Sequence, residues 1–123
     1  MSKFNQDIEG VISDLDYLKT LQELMIQETG VNVRKKKGSN YREGLRMFIA
    51  LAALLKTPKR YYYPNGQLKK FVIGKISPEM IAAFLRKDRT TIIYHQKTHN
   101  NLLEVDQAYR QKFTMIKNSF YEN

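Results

Sequence analysis

The fold turns on Ser77-Pro78-Glu79-Met80-Ile81-Ala82-Ala83-Phe84-Leu85-Arg86-Lys87-Asp88-Arg89-Thr90-Thr91-Ile92-Ile93. Its first three residues open a helix: serine accepts bonds from orphan amides, proline fits the first helical position and the acid complements the helix dipole. A short apolar helix follows through Leu85, then a charged turn, Arg86-Lys87-Asp88. Asp88 reads as the cap of a second helix that starts Arg89-Thr90-Thr91 and continues past His95 towards His99. Two short helices on a tight turn make a helix-turn-helix pattern. The first helix must be apolar inside to hold the second at a fixed angle. The second needs short or guanidinium side chains at its N-terminus, where base edges lie closest. Ala82 and Ala83 permit close helix approach. Arg89 has the fork geometry for guanine, and Thr90 and Thr91 offer hydroxyls and methyls to thymine or phosphate.

Upstream of this stretch, Tyr61-Tyr62-Tyr63 and Leu68–Ile73 flank the turn former Pro64-Asn65-Gly66-Gln67, which predicts a β-hairpin over about 60–73. An isolated hairpin is marginal in water, so this one is expected to lean on a helix. Before it, Leu45, Phe48, Ile49, Ala52 and Leu55 share one helical face that ends at Thr57-Pro58. Asn40 and Glu43 are spaced as its capping box, and Gly44 is its weak point. A basic loop, Val33-Arg34-Lys35-Lys36-Lys37-Gly38-Ser39-Asn40, leads into it. The first segment, Asn5–Glu28, predicts an amphipathic helix on Ile8, Val11, Leu15, Leu18 and Met25, widened by Ile12, Leu21 and Leu24 and stopped by Gly30. Over residues 1–28 this helix is either a brace for the domain at 29–123 or a dimerisation arm; Gln22 interrupts a coiled-coil seam and favours the brace. Downstream, Val105, Tyr109, Phe113, Ile116 and Phe120 predict a closing amphipathic helix over Leu103–Tyr121.

Length and charge bound the function. A chain of 123 residues suits one compact domain. The longest apolar run, Met47–Leu55, is about half of what a bilayer span needs, and Met1–Gly10 lacks a secretion-signal layout. There is no cysteine, hence no disulfide or thiolate chemistry. These features imply a soluble protein with no membrane partner and are compatible with cytoplasm, where a DNA-binding role would make it nucleoid-associated. The net charge of +9 is uneven: residues 1–30 carry −4, residues 31–103 carry +13 and residues 104–123 are neutral. Positive charge concentrated in this way predicts a polyanionic partner.

The segment 77–93 resembles the signature of the C-terminal duplex-binding domain of DnaA, the bacterial replication initiator. That family reads Leu-Pro-Glu-Ile-Gly, a small-residue stretch with Phe, then Gly-Gly-Arg-Asp-His-Thr-Thr-Val-Leu-His. Pro78, Glu79, Phe84, Asp88, Thr90 and Thr91 match it, with Lys87, Ile92 and Ile93 as conservative replacements. Thr29-Gly30-Val31, the basic loop and the helix with Arg46 and Ala50 follow the family's order more loosely. The resemblance implies a mainly α, helix-turn-helix fold of the DnaA domain IV (Trp-repressor-like) kind; the β-hairpin at 60–73 has no counterpart in that family and would be inserted into it. By position it assigns base reading to Asp88, Arg89 and Thr90, phosphate contact to Thr91, and a minor-groove role to the loop Lys35, Lys36 and Lys37. Arg86, Lys87 and Lys97 complete the expected DNA-binding set. Arg89 stands where the family has histidine, and Leu85-Arg86 replace its Gly-Gly turn, which puts the family's target sequence in doubt. No Walker phosphate loop is present, since Gly74-Lys75-Ile76-Ser77 does not satisfy one.

The expectation is a non-enzymatic, sequence-specific binder of double-stranded DNA with no cofactor. Its role would be origin-binding, accessory or regulatory, in a mobile element or phage. Two other readings stay open: RNA binding, with bases stacked on the tyrosine-rich hairpin, and a helical interaction module acting through the acidic N-terminal arm. Asp88 reads equally as helix cap or as acceptor from cytosine. His95 and His99 lie one helical turn apart but have no cysteine or nearby carboxylate to complete a metal site; they are expected to face solvent or phosphate.

Overall fold

The computed structural model describes residues 14–38 and 40–121. Its elements run α1 (Asp14–Thr29), α2 (Tyr41–Leu54), β1 (Lys56–Tyr62), β2 (Leu68–Lys75), α3 (Pro78–Leu85), α4 (Arg89–Val105) and α5 (Gln107–Tyr121). The chain is mainly helical with one two-stranded antiparallel sheet. No helix among the described residues is long and apolar enough to cross a membrane.

α2 is the central helix. Leu45, Phe48, Ile49, Ala52 and Leu55 are buried, as their spacing predicts, and so are Met47, Ala50 and Leu51 on its other sides. α2 packs against α1, α3 and α4, so almost every turn of it meets a neighbour. Gly44 is what one of these contacts requires: a Cβ there would lie 2.7 Å from Val31 Cγ1. The expected capping box does not form. Asn40 takes a left-handed conformation with no side-chain cap bond, and Glu43 instead meets Lys112 of α5 at 3.3 Å. The helix also ends earlier than Thr57-Pro58, because Leu55 turns extended and β1 begins at once. Pro58 is accommodated there because β1 has a free edge.

α1 buries Tyr17, Leu18, Leu21, Leu24 and Met25 against α2, α3 and α5. Leu15, expected on that stripe, is exposed instead. The part of the predicted helix before Asp14, with Ile8, Val11 and Ile12, lies outside the described residues. At the other end the predicted Leu103–Tyr121 helix is broken: its first residues belong to α4, and the closing helix starts at Gln107. Asp106 makes the break, turning extended at the end of α4 while its Oδ1 accepts from the Tyr109 N–H at 3.0 Å to start α5. Val105 is therefore exposed, whereas Tyr109, Phe113, Ile116 and Phe120 close the core as predicted.

The hairpin forms with a wider ladder than its turn signal suggests, from Lys56↔Lys75 to Tyr62↔Leu68, with an irregularity between Tyr61 and Tyr62. It does not lean on a helix along its length. Every residue from 61 to 73 is exposed. The root alone is tied down: buried Thr57 donates from Oγ1 to Asp14 Oδ1 at 2.8 Å, and the Lys59 ammonium pairs with the other oxygen of that carboxylate.

Candidate nucleic-acid interface

α3 starts as its sequence dictates. Pro78 takes the first turn, and Ser77 Oγ accepts from the Met80 N–H at 3.2 Å. Its buried side, Ile81, Ala82, Phe84 and Leu85, packs against α1, α2 and α4. Arg86 closes it in a left-handed conformation (φ 57°, ψ 47°), with its N–H on Ala83 O at 3.3 Å and the Lys87 N–H on Ala82 O at 2.9 Å. This is the chain reversal that glycine usually supplies. Three residues, Arg86 to Asp88, thus separate α3 from α4.

Asp88 occupies the N-cap position of α4, but its carboxylate makes no cap bond. The expected side-chain cap is absent, and the carboxylate is exposed at the helix start. Behind it Ile92, His95 and His99 face the core, while Arg89, Thr90, Tyr94 and Lys97 are exposed. At helical spacing these four residues form one continuous outward face. Thr91 and Lys87 are half-buried at its margin. Arg89 Nε lies 2.6 Å from Glu79 Oε1, an ion pair between two exposed side chains that links the first turn of α3 to the first turn of α4. Pairs so exposed contribute about 0–1 kcal/mol, so releasing Arg89 to a ligand costs little.

The basic loop lies beside this turn. Asn32 and Lys37 exchange backbone bonds at 2.8 and 3.2 Å, and Asn32 Oδ1 accepts from the N–H groups of Arg34 and Lys35. Val33 is buried, and its carbonyl accepts from the Tyr41 hydroxyl at 3.2 Å. The loop is therefore a fixed turn that leaves Lys35, Lys36 and Lys37 exposed. The Arg34 guanidinium lies over the Phe84 ring at 4.8 Å, and Phe84 stacks on Phe48 at 5.9 Å. Arg34, Lys35 and Arg86 consequently line one cleft of about 260 Å³ with Gln22 and Leu85.

A second group of cations surrounds His95. Burial is the main cause of its depressed pKa, and the charges of Arg46, Lys87 and Arg42 press it further down. His95 Nδ1 and Arg46 Nε are buried with no hydrogen-bond partner among the described residues. His99 is likewise pushed down by burial and by Arg46, and its Nδ1 shares a 2.6 Å hydrogen bond with the Tyr109 hydroxyl. Burial raises that phenol to about 12. The expectation that both histidines face solvent or phosphate is thus corrected: they are core residues on the inner side of α4.

Of the residues expected at the site, Arg86, Lys87, Asp88, Arg89, Thr90 and Thr91 follow one another around the α3–α4 turn, and Lys35 joins them through the shared cleft. Lys36 and Lys37 stand on the same loop, and Lys97 lies two turns along α4. Sequence reading missed Tyr94, Arg34 and Arg42. Tyr94 is signalled by its spacing from Thr90 and Lys97, but the convergence of Arg42, Arg46 and Lys87 depends on the crossing of α2 and α4, which no local pattern encodes. Compared with known proteins, the chain matches no family model, no curated protein and no solved structure.

Proposed function

We propose that this protein is a sequence-specific double-stranded DNA-binding protein whose reading element is the N-terminal half of α4. The observation that carries the reading is the outward face of Arg89, Thr90, Tyr94 and Lys97, bordered by the cleft of Arg34, Lys35 and Arg86. A helix of this width fits the major groove, and the flanking cations match the phosphates on either side of it. The resemblance of residues 77–93 to the duplex-binding domain of DnaA supports the same orientation, with Lys35, Lys36 and Lys37 directed to the neighbouring minor groove. In this reading Arg89 forks onto guanine, Thr90 contacts an adjacent base, and Thr91, Lys87 and Arg42 hold phosphates. Asp88, uncapped and exposed, is free to accept from cytosine. A replication-linked or regulatory role follows from the resemblance. The protein acts by binding, without catalysis or cofactor.

Selection from random duplexes tests this. A single short preferred site is expected. Arg89→Ala should then lose roughly 1–3 kcal/mol on that site and relax the preference at one position. Lys36→Ala should weaken all duplexes alike and lower the salt slope by about 1. Failure to bind any duplex at moderate salt, or an Arg89→Ala protein with unchanged preferences, overturns the reading.

A further inference from the structure

The hairpin is the largest feature that this reading leaves unused. Between Lys56 and Lys75 the chain carries six Lys/Arg residues, four aromatic rings and no acid. Its register divides these residues between two faces. Arg60 stands opposite Phe71 on one, with the guanidinium 5.4 Å from the ring; Tyr61 stands opposite Lys70 on the other, with the ammonium at 4.7 Å. A third pair, Lys69 over Tyr63 at 5.9 Å, lies at the tip. Cations parked on aromatic faces stay desolvated on one side and open to an anion on the other.

A ribbon exposed on both faces gains nothing from the core of its own domain, and one that is merely decorative is marginal in water. Its lysines make pairing with another strand edge unfavourable. Its root is fixed in a definite place. Asp14 clamps Thr57 and Lys59, and β2 ends at Lys75, four residues before Glu79, which touches Arg89 at the start of α4. The chain from the ribbon to Glu79 spans at most about 14 Å, which keeps this root near the residue that touches Arg89.

We infer that the hairpin is a basic arm that grips the phosphate backbone of the duplex next to the site read by α4. Lys69 and Lys70 supply the charges, and Tyr61 and Tyr62 supply hydroxyls and apolar faces against the sugar-phosphate edge. This inference rests on the duplex-binding reading and adds to it a second, sequence-independent contact. The ribbon reaches about 17 Å beyond Arg60, or about five base pairs.

The test compares wild-type protein with Lys69→Ala/Lys70→Ala and with Tyr62→Ala on one selected duplex and on single-stranded RNA. All three side chains are exposed, so circular dichroism and urea unfolding should be unchanged. The double variant should bind roughly tenfold more weakly near 0.1 M salt, with a salt slope lower by about 2. Its footprint should be shorter by about five base pairs on one side, with the preferred sequence unaltered. Wild-type affinity, slope and footprint in both variants overturn the arm while leaving the reading helix standing. A wild-type protein that binds no duplex overturns both. Variants that lose only single-stranded RNA binding overturn the arm in favour of an RNA platform. Variants that keep duplex binding but change from dimer to monomer in light scattering overturn it in favour of a second copy as the occupant.

Discussion

Arg86 is where local energetics and the proposed site conflict most directly. Its left-handed backbone is one that side chains other than glycine adopt at a cost of about 1–3 kcal/mol, and the turn it makes is met elsewhere by glycine. The residue nevertheless places a guanidinium in the cleft beside Arg34 and Lys35. Arg86→Gly should therefore raise the unfolding free energy by about 0.5–1 kcal/mol, after allowing for the greater freedom of glycine in the unfolded chain. Duplex affinity should fall at the same time, with no change in the preferred sequence. Urea unfolding and salt-dependent binding of the one variant separate the two effects. A variant that is both less stable and equally avid would remove Arg86 from the site.

Phe84 joins elements that are distant in sequence: it belongs to α3, stacks on Phe48 of α2 and carries Arg34 of the basic loop on its other face. Phe84→Leu keeps an apolar filler and should cost about 1 kcal/mol of stability. The loop should loosen more than that figure suggests, because Arg34 loses its aromatic platform. Hydrogen exchange at the bonded Asn32 and Lys37 amides should accelerate while amides in the middle of α4 keep their protection. Equal acceleration in both places would mean that Phe84 is only core filling. Elements whose cause is local were legible in the sequence. Ser77-Pro78-Glu79 specifies its helix start, and the periods of α2 and α5 specify their buried faces. The Asn40–Glu43 box does not form because Asn40 is left-handed where a cap needs extended backbone, and Glu43 pairs with Lys112 on α5 instead. The break at Asp106 was legible in principle, since an aspartate three residues before Tyr109 is a cap signal, but the hydrophobic period ran straight through it.

For the whole molecule, the consequential surprise is the pair of buried histidines. Solvent or phosphate is the default environment for two polar side chains on a helix, and no local pattern overrides it for His95 and His99; packing of α4 against α2 and α5 turns them inward. Both have native pKa values below the ordinary histidine value of 6.5, chiefly through burial and then through nearby arginine charge. The unfolded chain therefore takes up protons that the native protein does not. Stability should be fully present above pH 6.5 and fall as the pH drops through the lower native values. Urea midpoints at pH 7.5 and 5.5 should show this loss, and His95→Gln/His99→Gln should flatten it, although that variant starts from a lower stability. A wild-type midpoint unchanged over this interval would contradict the packing assigned to α4. The hairpin's strands and turn could be read locally, but its projection from the domain depends on which helices leave it uncovered.

Base methylation interference on the selected duplex decides whether the N-terminal face of α4 occupies a major groove. Methyl groups at guanine N7 lie in the wide groove, and those at adenine N3 in the narrow one. Methylation of one guanine N7 should abolish wild-type binding and should scarcely affect the already weakened Arg89→Ala protein. Interference confined to adenine N3, or a guanine N7 effect of equal size in both proteins, would mean that Arg89 and the start of α4 do not lie in the major groove.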